Sequence, residues 1–190
     1  MSDENQNERV PPGQRLTRKW PVLHVGHPPT FDAARWSFEV FGSVEAPQKW
    51  DWNAFNALPM TKMTVDMHCV TTWSKLDMTW RGVPIREILK LVRPTSDARH
   101  IIAHCDGGYT TNVSMEVLDD DDVMLAVACD GEPLSVDHGF PMRLVVPKRY
   151  AWKSAKWLRK LEFSPQDKPG FWEVRGYHNE ADPWKEERFG

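Results

Sequence analysis

Val65-Asp66-Met67-His68-Cys69-Val70-Thr71-Thr72-Trp73-Ser74-Lys75 is the stretch on which the reading of this 190-residue chain turns. From Met63 to Cys69 apolar and polar residues alternate with the period of two that marks a half-buried strand. On that strand Val65, Met67 and Cys69 share one face, and Asp66 and His68 take the other. Cys69 at its end has three readings. It is a buried structural thiol, since free Cys is among the most buried residue types. It is a nucleophile beside a His, although the adjacent His68 points the other way. Or it is a soft thiolate that binds a transition metal.

A second informative stretch lies far downstream. Between Gly139 and Leu161 the sequence GFPMRLVVPKRYAWKSAKWLRKL holds Arg143, Lys148, Arg149, Lys153, Lys156, Arg159 and Lys160 without one Asp or Glu. The whole chain carries a net charge of -3, so the enrichment is local. Lys153, Ser154 and Lys156 offer charge, a hydroxyl and backbone donors in one short segment. His138 and Arg143 add a ring and a guanidinium, which pairs with phosphate through two parallel hydrogen bonds. A solvated basic face is the alternative for any such run. Nucleic acid is excluded as the partner, because seven cations on a chain of pI about 6.2 leave too weak an electrostatic footprint.

Other strand patterns cover residues 36–42 and 142–146. A helix is predicted over 84–92, with Pro84 suited to a first turn, and a shorter one over 51–58. Strands, short helices and fifteen prolines point to a strand-rich, mixed α+β domain. The length suits one domain with one sizeable core. Residues 1–19 are polar and proline-containing, which predicts a mobile arm before a folded domain over 20–190. Ten Trp against three Tyr supply wide apolar walls, either for ordinary packing or around a flat ligand.

Three cysteines without a Cys-x-x-Cys pair do not make a disulfide framework, and they predict a reducing compartment. With no apolar leader and no membrane-length apolar run, the chain reads as cytoplasmic and without a transmembrane segment.

Taken together, these blocks resemble the molybdopterin-binding domain of the sulfite-oxidase-like oxidoreductases. The resemblance is carried by Trp20-Pro21-Val22-Leu23-His24-Val25-Gly26 and by His68-Cys69-Val70-Thr71-Thr72-Trp73-Ser74 with Trp80-Arg81-Gly82-Val83-Pro84. It continues through Asp137-His138-Gly139-Phe140-Pro141-Met142-Arg143 and Lys153-Ser154-Ala155-Lys156-Trp157. Gly107-Gly108-Tyr109-Thr110 and Phe171-Trp172-Glu173 with Gly176-Tyr177-His178 extend it.

The resemblance implies a molybdenum-pyranopterin cofactor with Cys69 as the protein thiolate on the metal. His138, Arg143, Ser154, Ala155 and Lys156 would hold the pterin and its phosphate, with His24 and Cys105 at further cofactor positions. It also implies oxygen-atom transfer on a small-molecule oxide or oxyanion, coupled to one-electron steps with a separate electron-transfer partner. No haem-attachment or dinucleotide motif stands in the chain to replace that partner. The alternative is a non-catalytic pterin- or anion-binding module on the same fold.

Two departures bear on substrate. Leu23 stands where the family has an early Arg, and Trp73-Ser74 replace an Arg pair after the metal Cys, with Lys75 and Arg81 as possible replacement charge. The run Asp119-Asp120-Asp121-Asp122 is either a solvated turn or a docking patch for a basic carrier.

Overall fold

The computed structural model describes residues 8–190 of the chain. Two sheets carry the fold. The first places β1 (Arg15–Leu16), β5 (Trp73–Pro84), β8 (Met124–Cys129) and β10 (Arg143–Val145) in that order, with β4 (Thr61–Cys69) paired to β5 and β9 (Glu132–Pro133) to β8. The second runs β3 (Gln48–Asp51), β2 (Ser37–Gly42), β11 (Leu158–Ser164), β6 (His100–Cys105), β7 (Thr110–Ser114). Pairings are antiparallel except β1 with β5 and β2 with β11. This is the strand-rich α+β architecture predicted by the alternating runs.

Long β5 organises the first sheet. Met78, Trp80 and Gly82 are buried, while Asp77 and Arg81 are exposed, as the pleat requires. Gly82 lies at a register shift against β8, where a Cβ would stand 2.1 Å from the Leu125 carbonyl oxygen. Only glycine lets the two backbones approach that closely.

Both predicted helices form. Asp51 caps Trp52–Asn56 by accepting a 2.8 Å hydrogen bond from the Ala54 N–H. Ile85–Val92 buries Ile85, Ile88 and Val92 and ends at Arg93 in the left-handed region, with Pro84 just outside its first turn. The main core joins Phe38, Phe55, Ile88, Leu125, Leu144 and Leu161. A second cluster gathers Met67, Met78, Trp80 and Met124 under β4 and β5.

The predicted mobile arm needs correcting for its described part, since residues 1–7 lie outside the described residues. From residue 8 onward the segment is held on the first sheet. Arg15 and Leu16 pair with Trp73 and Ser74, and Arg9 bonds Asp66 and Asp77. Backbone pairing and ion pairs, invisible in a polar composition, supply what apolar burial does not.

The C-terminal segment is clamped by a buried pair. Lys153 Nζ lies 2.6 Å from Glu173 Oε1, with both side chains 2% exposed. The ammonium also donates to Asn112 O and Oδ1, and Glu173 Oε1 accepts from Thr111 Oγ1 and Trp152 Nε1. Removing one partner strands a buried charge, so Glu173→Gln and Lys153→Met are each expected to cost about 3–5 kcal/mol. The joint Lys153→Met/Glu173→Leu variant is expected to recover part of that loss. Urea denaturation of the four proteins measures both effects.

Candidate cofactor cavity

One cavity of about 350 Å³ is walled by the ends of several elements and the loops between them. That volume lies within the range of small-molecule and cofactor sites. Its walls bring together Cys69, His24, His138, Arg143, Ser154, Ala155 and Lys156 from distant parts of the chain. Trp20, Trp73, Trp152, Trp157 and Trp172 supply the wide apolar surfaces between them.

Cys69 reaches the cavity because β4 ends there and the chain reverses. Thr72 takes a left-handed φ of 71° as its N–H bonds the Cys69 carbonyl at 3.0 Å, closing a tight turn into β5. The thiol is buried, lies 3.2 Å from Thr71 Oγ1, and is pushed up in pKa by that burial. His68 is not its partner: its Nδ1 pairs with Ser74 Oγ at 2.8 Å, and burial holds the ring neutral by lowering its pKa. The nucleophilic Cys–His reading therefore has no geometry behind it. A register shift between Val65 and Met67 breaks strict alternation, so Met67, His68 and Cys69 are all buried.

Arg143 on β10 is 4% exposed. Its guanidinium donates to His138 O at 3.0 Å and Ser154 O at 2.6 Å, and it sits over the rings of Trp20 and Trp80. Burial pulls its pKa down to about 10, and its Nε has no acceptor. Gly139, at φ +112°, lets this turn pack against Arg143 and Lys156: a Cβ there would stand 3.1 and 3.2 Å from theirs.

His138 stacks on Trp20 at 3.7 Å between ring centroids. Its Nε2 must donate to the Trp20 carbonyl, so its Nδ1 accepts from Ser135 Oγ. Burial and the Arg143 charge lower its pKa, in keeping with that neutral ring. Ser154 Oγ accepts from the Val146 N–H, so this hydroxyl shapes the loop.

Lys156 donates to the carbonyls of Leu23 and Asp137, each at 2.8 Å. Burial and Arg143 draw its pKa down to about 7. A neutral amine satisfies both carbonyls, and the extra N–H of the ammonium is what an anion would gain.

The other members of the basic run do not converge. Lys148 pairs with Asp120, Arg149 with Glu180, Arg159 with Asp106 and Lys160 with Glu39, while Lys153 is consumed by Glu173. Cys105 is buried in the main core and does not itself line the cavity, although it neighbours Tyr109 and Arg143, which do, and burial pushes its thiol pKa up. Thr71, Tyr109 and Tyr177 also line the cavity, beyond the cofactor residues that the resemblance implies. Thr71 two places after Cys69 was the available signal, but only the turn's backbone fixes its hydroxyl at the sulfur.

The pyranopterin and its metal fit this cavity. Among the described residues no three of His, Cys, Asp and Glu are placed to hold a metal, so an ion at Cys69 would need ligands from a cofactor. The two cations and the acceptor-free Arg143 Nε suit an anionic group.

A family model described as the oxidoreductase molybdopterin binding domain matches residues 24–172. The chain is 42% identical over 186 residues to the protein called uncharacterized oxidoreductase YuiH of Bacillus subtilis (strain 168), covering 97% of this chain and 94% of that one. It is 30% identical over 181 residues to the putative protein-methionine-sulfoxide reductase subunit YedZ1 of Azospira oryzae, covering 94% and 69%. Among solved structures, the sulfane dehydrogenase SoxCD of Paracoccus pantotrophus superposes with a TM-score of 0.68 at 18% identity. That match takes in 97% of this chain and 59% of the other, and it speaks to the fold.

The titration of Lys156 yields a prediction with a definite sign. A lysine whose pKa is lowered holds its positive charge below that value and loses it above. Sulfate, whose own charge is constant here, is expected to bind the cofactor-free protein less tightly as pH rises through about 7. Calorimetric titration across that range checks this, with Lys156→Met expected to flatten the dependence.

Proposed function

The chain belongs to the oxidoreductase molybdopterin-binding family, and we propose that it performs oxygen-atom transfer on a small neutral oxide of the sulfoxide class, using an external one-electron carrier. The molybdenum of the bound pyranopterin supplies the two-electron chemistry. In the reducing direction the balance is one oxide, two electrons and two protons in, and one deoxygenated product and one water out.

In this reading Cys69 would be the thiolate that holds the metal, and the Thr71 hydroxyl, 3.2 Å from its sulfur, would donate to it once the thiol proton has left. Arg143 and Lys156 would neutralise the cofactor's phosphate. His138, Ser154 and Ala155 shape the pterin's bed, and His24 borders it. The aromatic walls exclude water, which strengthens each of these electrostatic contacts.

The observation that carries the substrate class is the cavity's charge inventory. Among the described residues the wall holds one lysine and one arginine, Lys156 and Arg143, both committed to the anionic group in this reading, and Arg188, which donates to the Val70 carbonyl at 2.7 Å near Cys69, is paired with Glu186. Leu23 and Trp73, which stand at positions where the resembled family carries arginines, line the cavity. Lys75 is tied to Asp130 at 3.1 Å, and Arg81 is exposed on β5 outside the cavity wall. An oxyanion would enter with little compensating charge, whereas a neutral oxide brings only a dipole. The similarity to a protein named as a putative methionine-sulfoxide reductase subunit supports the same class.

Protein made in a cofactor-competent host is expected to contain near-stoichiometric molybdenum and to reduce sulfoxides faster than it oxidises sulfite. Cys69→Ser is expected to lose turnover and change the metal-centred absorption while keeping the fold by circular dichroism. Wild-type metal spectra and full turnover in that variant, or a preference for sulfite, would overturn the assignment. Lys156→Ala is expected to weaken cofactor retention by about 1.5–3 kcal/mol, the scale of a hydrogen bond to a charged group, or about ten- to a hundredfold. Cofactor release on dilution measures it.

A further inference from the structure

The charge that remains unpaired near Cys69 is positive. From Arg9 to Phe31 the chain has no Asp or Glu, and Arg15, Arg18 and Lys19 follow one another along and just after β1, all exposed. Among the described residues none of the three has a carboxylate partner. The carboxylates bordering this strand are engaged elsewhere: Asp66 and Asp77 by Arg9, and Glu186 by Arg188. Leu16, 48% exposed, sets an apolar side chain among these cations.

This strand is bonded directly to the turn that carries Cys69. Gln14 Nε2 donates to the Cys69 carbonyl at 3.1 Å, and the Arg15 N–H donates to Thr72 O at 2.8 Å. The Arg15 guanidinium reaches Thr72 Oγ1 at 3.3 Å, and the Thr17 N–H donates to Ser74 O at 2.9 Å. One hydrogen bond therefore links the backbone of the metal-ligating residue to a cationic outer face. The acidic run offers no such route. Arg86 takes up Asp119 and Asp121, and Lys148 takes up Asp120.

Resting on the oxidoreductase reading above, we propose that β1 and the residues after it form the docking surface for an acidic one-electron carrier protein. Arg15, Arg18 and Lys19 steer the carrier, and Leu16 gives the contact an apolar centre. Two successive encounters deliver the electron pair that leaves with the oxide's oxygen and two protons as water. The carrier is oxidised by one electron each time.

The test uses the molybdenum-loaded protein with a reduced acidic [2Fe–2S] ferredoxin as probe and photoreduced lumiflavin, a small neutral donor, as control. Arg15→Glu/Arg18→Glu/Lys19→Glu is expected to slow electron entry from ferredoxin about tenfold or more at low salt, with the Gln triple variant between. Entry from lumiflavin is expected to stay unchanged. The wild-type ferredoxin rate should also fall as salt rises, and the variant's should not. Equal ferredoxin rates in wild type and variant overturn the proposal, as does an equal loss with lumiflavin, which would show that β1 only props the turn. Ferredoxin affinity, measured separately by calorimetry, keeps the two readings distinct. A protein that docks ferredoxin through these cations yet turns over no oxide sinks the catalytic reading and upholds the surface.

Discussion

An ammonium and a carboxylate held 2.6 Å apart, both almost wholly out of water, are the constraint on which the cavity depends. Lys153 sits one residue before Ser154 and three before Lys156, and Glu173 follows Trp172. Fixing those two side chains fixes the loop that walls one part of the cavity against the segment that walls another. Desolvating both charges is costly, and the cost is met by directed bonds from Asn112, Thr111 and Trp152. Such an arrangement tolerates little displacement. It converts a loop and an irregular C-terminal segment, neither with a strand ladder across the join, into rigid wall.

The frame was legible because it follows from period and punctuation. Alternation over residues 63–69 and 36–42, and an apolar stripe after Pro84, are local signals, and each produced its element. The resemblance named Cys69, His138, Arg143, Ser154, Ala155, Lys156 and His24, and the fold brings all of these onto one cavity. Cys105 packs into the main core behind Arg143 and does not itself line the cavity. A strand end presents both faces within two residues, and motif spacing alone does not say which one meets the ligand.

Charge was less legible, because pairing across the fold is not a property of a segment. The basic run reads as one cationic patch, yet five of its members turn to different carboxylates, one of them in the acidic run for which docking is one of two readings. Composition also misreads residues 8–19: their hydrogen bonds to Cys69, Thr72 and Ser74 come equally from backbone N–H groups, which every polar sequence carries, and from the Gln14 and Arg15 side chains. Two misreadings share one cause. A polar side chain's partner is chosen by topology, whereas an apolar side chain's burial is announced by its neighbours in sequence.

The parallel pairing of β2 with β11 has a consequence for how this molecule comes into being. Glu39 meets Lys160, so the second sheet joins a strand made early in synthesis to one made late. On a ribosome, which releases the N-terminal part first, β2 emerges with β3 as its antiparallel neighbour but must wait for β11. Residues 171–177, which complete the aromatic wall, leave later still. Arg143 and Lys156 therefore meet a finished pocket only when nearly the whole chain has emerged. Loading of the cofactor is an event of the completed polypeptide, and every earlier intermediate exposes part of the Trp-rich lining to solvent.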